Sequence, residues 1–367
     1  MRRRTHTSRK LKDLKALLAG KGTMLILLQN NPDPDAIAAA MGLRELAHVI
    51  GDVQCSLACG GTVGRSENRA MVRYLALNIR PMSQVDPARF DVIAIVDGQP
   101  GQGNISLPEG VSPAIVIDHH PIRPATRQAA FTDVRSRYGA TSTIVYEYLR
   151  EAGAAIDPPL ATGLVYGIRS DTQDFGRDGI AADIEAHTAL YPLANKRMLG
   201  IIQRGEVGPD YFRMLRDGLD TARRSGPAVF ASLGEVTNPD MIGEVADLLV
   251  RLEDVDWSLV WGYWLGSPDR EGSRSGVPDG MILLSVRCLA SQGRADTLAR
   301  RIVYRKGTGG GHRTTAGGQI PFPTDNPTSR RRLDKLIRRR FLRAVGGDPD
   351  NCREITADVP PKPGGPP

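Results

Sequence analysis

Cysteines, aromatic residues and long apolar runs are all scarce in this chain of 367 residues. No apolar run approaches the ~20 residues that a membrane-spanning helix needs, and the start of the chain shows no signal-peptide pattern. The cysteines lack the spacing of a zinc finger, so we expect ordinary reduced thiols. The four are Cys55, Cys59, Cys288 and Cys352. These absences argue against a membrane protein and predict a cytoplasmic one.

Aromatic residues make up only 5% of the chain, while basic residues are concentrated in two segments. The net charge is +7, yet residues 1–21 and residues 327–345 each hold eight Lys or Arg and one Asp, so the remainder is negatively charged. These segments could attract polyanions, although solvated helix faces or a flexible tail are the simpler explanation. Aromatic residues do not alternate with these arginines in the sequence, so no stacking platform for long single strands is predicted.

Sequence patterns divide the chain into two folded domains. The length and the 41% hydrophobic content are sufficient for both cores, and no internal repeat is present. We predict a basic leader at 1–21, a first domain at 22–195, a helical connector at 196–226, a second domain with a basic terminal helix at 227–345 and a disordered tail at 346–367.

Both domains are predicted to belong to the α/β class. In the first, short apolar strands alternate with helical patterns, which is typical of a parallel sheet covered on both faces. The second is a smaller α/β unit. Helices are predicted at 140–152, 183–193, 241–252 and 295–303, and strands of the second domain near 257–264 and 281–286.

The most informative residues are Asp118, His119 and His120, which follow the apolar run 114–117. In open α/β sheets, ligands bind outside the carboxyl ends of the strands. A carboxylate and two imidazoles are metal-ligand types and are unsuited to an apolar core. A polar turn after a strand is the alternative for this motif taken alone.

Further acidic residues end other apolar segments in the same way. Asp33 and Asp35 follow the strand pattern at 24–28, Asp97 ends a second run, and Asp171 ends a third segment. Helix capping could explain Asp35, but it does not explain two aspartates. Converging carboxylates repel one another unless cations neutralise them, so the pattern predicts bound divalent metal. Two ions are favoured over one, and manganese or magnesium over zinc.

In chain order, these segments resemble the four motifs of the DHH phosphoesterase superfamily. The matching segments are residues 31–36, 96–97, 118–120 and 170–172. The glycine-rich stretch 307–318 resembles the GGGH loop of the C-terminal domain that accompanies many members, and residues 285–287 resemble its substrate-binding arginine segment. The resemblance covers about residues 22–322 and is strongest to the oligoribonucleases that also act on 3′-phosphoadenosine 5′-phosphate.

The resemblance implies a parallel-sheet domain that binds two Mn²⁺ or Mg²⁺ ions, a smaller α/β domain that binds substrate, and a cleft between them. Asp33 would bind the first ion, Asp97 would bridge both, and the second ion would be held by Asp35, His119 and Asp171. The catalytic residues would be His120, facing the scissile phosphate, and Asp118, orienting the histidines. The implied substrate-binding residues are Arg287, Gly309, Gly310, Gly311 and His312.

Gln29 departs from the family pattern, which usually has a histidine at this place. An amide oxygen is a weaker, neutral ligand, so the first ion should bind less tightly or with altered preference. Gln29 is therefore only an optional metal ligand.

The resemblance implies hydrolysis of short nucleotides, either nano-RNA dinucleotides or 3′-phosphoadenosine 5′-phosphate, by water activated at two metal ions. A soluble phosphodiesterase for cyclic dinucleotides or linear pApA is the alternative. A nucleotide-binding sensor without turnover is motivated by Gln29, and a nucleic-acid scaffold by the basic ends. Inorganic pyrophosphatase activity is less expected, because relatives with that role carry a different second domain. No membrane partner is expected, and a homodimer is left open.

Overall fold

A computed structural model describes residues 2–176, 179–265, 280–291, 293–322 and 327–355. The chain forms two compact units, Met1–Glu206 and Val207–Pro367. This division falls inside the predicted connector at 196–226. In the described residues, no helix is both long enough and apolar enough to cross a bilayer.

The first unit contains a six-stranded sheet in which every neighbouring pair is parallel, in the order β3-β2-β1-β4-β5-β6. The strands are β1 (Thr23–Leu27), β2 (Gln54–Cys59), β3 (Ile79–Pro81), β4 (Val92–Val96), β5 (Ile115–Asp118) and β6 (Phe131–Val134). The helices are α1 (Arg2–Leu18), α2 (Pro34–Gly51), α3 (Ser66–Tyr74), α4 (Thr141–Glu151), α5 (Pro158–Asp171), α6 (Ala181–Leu190) and α7 (Lys196–Gln203). The predicted α/β class and parallel sheet are confirmed.

Alternation along the central strand β1 separates two cores, because successive strand residues point to opposite faces. Met24 and Ile26 are buried in the larger core with α2, α4 and α5. Leu25 and Leu27 are buried in a smaller cluster with residues such as Met82, which lies in a short 3₁₀ turn. The described residues thus cover one face with α-helices and the other with 3₁₀ turns and loops.

The predicted basic leader is α1, and it is an integral part of the first unit. Leu14 and Leu18 are fully buried in the larger core. The Thr7 hydroxyl donates to Glu147 Oε2 at 2.9 Å, and Lys10 Nζ donates to the carbonyl of Thr132 at 2.7 Å. The basic residues of this segment therefore belong to a helix whose apolar side packs into the core of the first unit.

Close helix packing places the ends of α2 and α5 together. At Gly167, a Cβ atom would lie 2.7 Å from the Ser142 hydroxyl and 2.9 Å from the Ala38 Cβ. These distances are shorter than van der Waals contact, so only glycine permits this approach of α5 to α2 and α4. Asp171, the last residue of α5, is positioned by this contact.

The second unit contains a seven-stranded sheet in the order β11-β12-β10-β9-β8-β7-β13. Its strands are β7 (Arg223–Ser225), β8 (Ala228–Glu235), β9 (Trp257–Trp264), β10 (Gly280–Cys288), β11 (Thr308–Gly311), β12 (Thr315–Phe322) and β13 (Arg353–Glu354). Its helices are α8 (Pro209–Thr221), α9 (Asp240–Leu249), α10 (Ala295–Val303) and α11 (Pro327–Val345). In the described residues, β8 and β9 pair in parallel and the other pairs are antiparallel.

Helices cover both faces of this second sheet. Val260 of β9 packs with Met241 and Val245 of α9 in one core. Phe341 of α11 packs with Ile302 of α10 in the other. The predicted elements of this domain agree with the structure to within a few residues, and the range predicted for β9 agrees at both ends.

The segment predicted to be a disordered tail is partly ordered. Gly347 N donates to the carbonyl of Leu342 at 2.9 Å, and the Ser225 hydroxyl donates to the carbonyl of Asp348 at 2.9 Å. Strand β13 then pairs with β7. These backbone bonds hold residues 347–355 against the sheet, which composition alone does not indicate. The remaining part of the predicted tail, residues 356–367, lies outside the described residues.

Candidate metal centre

Three neighbouring strands bring the predicted ligands of the first unit together. Strands β1, β4 and β5 are adjacent and parallel, so their carboxyl ends lie at one edge of the sheet. The loop after β1, the end of β4 and the end of β5 carry the aspartate and histidine motifs, and the end of α5 adds Asp171. The sequence-based prediction of a convergent site in this unit agrees with the geometry.

Asp33 and Asp35 have different structural roles. Asp33 is the N-cap of α2, and its Oδ1 accepts from Ala36 N at 2.9 Å. Asp35 lies in the first turn and is only 1% exposed. Its two carboxylate oxygens accept from the backbone of Thr141 at 2.7 Å and of Ser142 at 2.8 Å, at the start of α4. The alternative that Asp35 is the helix cap is therefore wrong, since Asp33 is the cap.

Asp97 is held in a left-handed backbone conformation, with φ of +52°. Its N–H donates to the carbonyl of Ile117 at 3.0 Å, which ties the end of β4 to β5. Its Oδ1 accepts from the Thr141 hydroxyl at 3.0 Å, and the side chain is buried. Such conformations are sparsely populated for residues other than glycine, and they concentrate at functional sites.

Asp118 organises the motif that contains it. Its Oδ1 accepts from His119 N and lies 2.8 Å from His120 Nδ1. Its Oδ2 accepts from Gln99 Nε2 at 2.6 Å. Burial would raise the pKa of this carboxyl, but the hydrogen bond and positive charge of His120 outweigh burial, so the pKa is lowered. Asp118 is therefore fixed as an anion that orients His120.

Gln99 is a functional residue that the sequence reasoning missed. It is fully buried, and its Oε1 accepts from Arg123 N at 2.8 Å and from the Thr126 hydroxyl at 2.7 Å. Because the oxygen has these donors, the amide nitrogen is directed at Asp118. The only sequence signal is its position two residues after Asp97.

His119 presents one ring nitrogen to the acidic cluster. Its Nδ1 lies 3.0 Å from the carbonyl of Tyr138, which fixes Nδ1 as a donor and directs Nε2 into the acidic cluster. Nε2 is buried, and it lies 3.0 Å from Asp171 Oδ2 and 3.5 Å from Asp97 Oδ1. A buried nitrogen in this state fits a metal ligand.

Two overlapping sets of side chains could hold a metal ion. One is Asp35, His119 and Asp171, and the other is Asp97, His119 and His120; within each set the ligand atoms all lie within 4.8 Å of one another. Burial raises the pKa of Asp35 to about 6 with help from Asp171, and burial together with Asp33 and Asp35 raises the pKa of Asp97 well above its usual value. A divalent cation would remove this repulsion.

Gln29 turns its oxygen away from this cluster. Its Nε2 donates to Asp97 Oδ2 at 3.4 Å, while its Oε1 accepts from Asn104 Nδ2 at 3.0 Å. Gln29 thus contacts Asp97 as a donor, which differs from the optional oxygen ligand that the sequence suggested. Asn104, which sets this orientation, was not anticipated.

Arg287, predicted to bind substrate, is buried within the second unit. It forms an ion pair with Asp247 of α9 through Nε and Nη2, and its Nη1 donates to the Ser285 hydroxyl at 2.6 Å. These bonds tie β10 to α9. The structure therefore differs from the prediction of a guanidinium available to substrate.

The predicted glycine segment is the edge strand β11. Gly309 packs on α10, where a Cβ would lie 3.2 Å from the backbone of Ala299, whereas a Cβ at Gly310 would meet nothing within 4 Å. Gly311 has φ of +143°, a backbone conformation that glycine adopts readily and other residues adopt rarely. His312 is exposed, and its carbonyl accepts from Asp296 N at 3.1 Å, which fixes the turn at the start of α10.

Fold and site together define an α/β protein with a buried carboxylate and imidazole cluster at the ends of parallel strands. Residues 23–168 match the family described as "DHH family, N-terminal domain". Residues 23–168 are thus similar to the N-terminal domain of that family, and the matched range includes the cluster residues from Asp33 to His120.

Two curated proteins illustrate the sequence relatives. An uncharacterized protein of Methanocaldococcus jannaschii is 32% identical over 333 residues, which cover 89% of this chain and 65% of that protein. A probable manganese-dependent inorganic pyrophosphatase of Enterococcus faecalis is 27% identical over 178 residues, which cover 48% of this chain and 57% of that protein. The chain thus spans less than two thirds of the length of these relatives.

Solved structures agree with the fold. The crystal structure of an exopolyphosphatase-related protein from Bacteroides fragilis superposes with a TM-score of 0.69 at 14% identity, covering 92% of this chain and 97% of that one. RecJ from Thermus thermophilus in complex with Mn²⁺ gives a TM-score of 0.51 at 15% identity, covering 89% of this chain and 54% of that one. The α/β architecture is thus shared along most of the chain.

Proposed function

We propose that this chain is a metal-dependent phosphoester hydrolase that acts on short nucleotides. The observation that carries the proposal is the buried Nε2 of His119, which lies 3.0 Å from Asp171 Oδ2 and 3.5 Å from Asp97 Oδ1. The ligand atoms of Asp35, His119 and Asp171 lie within 4.8 Å of one another, and such a set of oxygen and nitrogen donors fits manganese or magnesium. Bound there, a divalent ion supplies Lewis-acid activation of water and of the phosphoryl group.

The ligands divide between two proposed ions. Asp35, His119 and Asp171 would hold one, with Asp97 shared between both. The other would depend on Asp33 and Asp97, because Gln29 directs its amide nitrogen, and not an oxygen, at Asp97. The ion at Asp33 should bind more weakly than the ion held by Asp35, His119 and Asp171. The relatives named as manganese-dependent pyrophosphatases support the choice of manganese.

His120 and Asp118 are the proposed catalytic pair. His120 Nδ1 is bonded to Asp118, so Nε2 is the ring nitrogen left to face a substrate, on a side chain that is 21% exposed. From there it can donate a proton or a hydrogen bond to a phosphoryl oxygen of the substrate. Asp118, held in turn by Gln99, would keep the ring in the required orientation.

The proposed substrate is a nano-RNA dinucleotide or 3′-phosphoadenosine 5′-phosphate. In the second unit, the backbone at Gly310 borders open space, and exposed His312 follows it. This segment is proposed to bind a phosphate through backbone N–H groups. Arg287 contributes by fixing β10 to α9. We also propose a cytoplasmic location, which the four free thiols support.

Inorganic pyrophosphate is a second candidate substrate. The matching pyrophosphatases align with roughly half of this chain, and the solved structure that aligns along most of it is named exopolyphosphatase-related. These observations favour phosphoanhydride chemistry as the competitor to phosphoester chemistry.

The decisive experiment measures product release from pApA, from 3′-phosphoadenosine 5′-phosphate and from pyrophosphate, with Mn²⁺, for the natural chain and for Asp97→Asn. We expect Mn²⁺-dependent release of AMP by the natural chain and at least a 100-fold loss in the variant. Faster release from pyrophosphate would replace the nucleotide proposal. Metal-dependent nucleotide binding without any turnover would replace hydrolysis with a sensor.

A further inference from the structure

A groove between α10 and α11 lies on the surface of the second unit. Its volume is about 600 Å³. The lining residues carry four guanidinium groups, one phenol ring and no carboxylate; they are Arg300, Arg301, Tyr304, Arg340, Arg343 and Ala344. A groove of this composition concentrates positive potential where an anionic ligand can enter.

Two of the arginines shape the groove through bonds inside the unit. Arg340 Nη1 donates to the carbonyls of Ile302 and Tyr304, at 2.6 and 2.9 Å, where α10 ends. Arg300 pairs with Asp296, with 2.6 Å between Nη2 and Oδ2, and the same carboxylate also pairs with Arg294 at 2.9 Å. One carboxylate therefore serves two guanidinium groups, and the groove retains its positive charge.

The other two arginines are available to a ligand. Arg301 and Arg343 are exposed, and neither pairs with a carboxylate in the part of the chain that the structure describes. They come from different helices, so they can contact successive charges of an extended anion. Guanidinium groups bind phosphate oxygens through two N–H donors at once.

Tyr304 adds a flat apolar surface to this charged groove. Its side chain is 59% exposed, and the Arg305 guanidinium lies 5.3 Å from the ring centroid. The sequence does not alternate aromatic and basic residues here, and it is the fold that places Tyr304 beside Arg340 and Arg343. Exposed aromatic rings among basic residues are the usual platforms for unpaired bases.

We propose that this groove binds single-stranded nucleic acid, with Arg301 and Arg343 on the phosphates and a base stacked on Tyr304. The surface contains none of the proposed metal ligands, so this inference goes beyond the proposed hydrolysis and does not depend on it. A polyphosphate chain would satisfy the arginines equally well. Only a nucleic acid would also use the tyrosine ring.

The test is fluorescence anisotropy of a fluorescein-labelled 12-residue oligoadenylate RNA with the full-length chain in EDTA, which prevents metal-dependent cleavage. We expect the double substitution Arg301→Ala and Arg343→Ala to weaken binding at least tenfold. It should also reduce the slope of log K against log salt by about 1.4, because each single-strand phosphate contact contributes about 0.7. Tyr304→Ala should weaken binding several-fold, and Tyr304→Phe should retain it.

The matched control removes two charges from the same basic helix outside the groove. Arg331 and Lys335 are exposed residues of α11 that do not line it, so Arg331→Ala with Lys335→Ala should change affinity less than threefold. An equal loss in this control would show that only net charge matters and would overturn the proposal. Unchanged affinity in Tyr304→Ala, together with equally tight binding of inorganic polyphosphate, would also overturn it.

Discussion

Gln99 Nε2 donates to Asp118 Oδ2 across 2.6 Å, and both side chains are fully buried. Because Asp118 also bonds His120 Nδ1, this bond makes the orientation of His120 depend on Gln99, which lies outside the sequence motifs. The amide oxygen of Gln99 is held by Arg123 N and the Thr126 hydroxyl, so the amide cannot rotate without losing two further bonds. The orientation of the proposed catalytic histidine therefore depends on the loop after β5.

Replacing Gln99 with leucine should lower catalysis more than it lowers substrate binding. The change leaves Asp118 Oδ2 buried without its donor, which costs about 1–3 kcal/mol. Loss of such a supporting partner typically reduces activity by roughly 10–100-fold. We expect kcat to fall within this range and KM to change little in steady-state assays. Gln54→Leu, at an exposed position in β2, is the control and should behave like the natural chain. A change confined to KM would contradict a positioning role for Gln99.

Asp171→Asn should weaken metal binding. Asp171 Oδ2 lies 3.0 Å from His119 Nε2, and the two belong to the same ligand set. Outer partners of metal ligands already affect affinity by roughly 10–100-fold, so loss of a direct ligand should weaken Mn²⁺ binding by about 100-fold or more. Isothermal titration with Mn²⁺ measures this change. Asp174→Asn is the control, because Asp174 is 67% exposed and pairs with Arg169. Equal affinities of the two variants would exclude Asp171 as a ligand.

Gln29→His should strengthen binding of the proposed ion at Asp33. The amide now donates to Asp97 at 3.4 Å, whereas a neutral imidazole could offer a lone pair beside Asp97 and Asp33. We expect the Mn²⁺ content after dialysis against low metal to rise towards two ions per chain, as measured by elemental analysis. A spin-coupled signal should then appear in electron paramagnetic resonance. Gln29→Leu offers no ligand atom and should leave the content at the natural value. The same Mn²⁺ content in all three proteins would show that position 29 does not contribute to metal binding.

Acid should weaken a buried cluster in which Asp133 of β6 pairs with Arg135 and accepts from the Tyr148 hydroxyl of α4. Burial would raise the pKa of Asp133, but hydrogen bonds and charge from Arg135, with a hydrogen bond from Tyr148, lower it below its usual value. A carboxyl whose folded pKa is lowered stabilises the fold above its unfolded pKa, near 3.9, and loses this contribution as pH falls through the folded value. Asp133→Asn should therefore destabilise the chain at pH 7, by about 3 kcal/mol for a broken buried pair.

The measurement is urea denaturation of both proteins at several pH values. The difference in unfolding free energy should shrink as pH falls below about 4, because the natural carboxyl becomes neutral as well. The exposed residue Asp86 provides the control variant Asp86→Asn. A constant difference between pH 7 and pH 3 would show that Asp133 acts through shape and not through charge.

The sequence predicted which acidic and imidazole side chains come together, because each follows an apolar run that must be a buried strand or helix. Gln99 and Asn104 could not be found in this way, since a side-chain amide acquires its role only from neighbours that folding supplies. Arg287 shows the converse. Its motif resembles a substrate site, but Asp247, forty residues earlier, neutralises it in the folded unit. Tyr304 likewise joins the arginines of α11 only when α10 and α11 pack together.

The left-handed backbone at Asp97 restricts which carboxylate can occupy the centre. Aspartate and asparagine tolerate this conformation better than other side chains, because their short polar groups can bond locally. Glutamate carries the same charge, yet it is poorly suited to this turn, and its extra methylene would displace the oxygens from Thr141 and His119. Asparagine keeps the backbone and removes only the charge. The backbone conformation at position 97 thus favours aspartate over glutamate, although the two side chains carry the same charge.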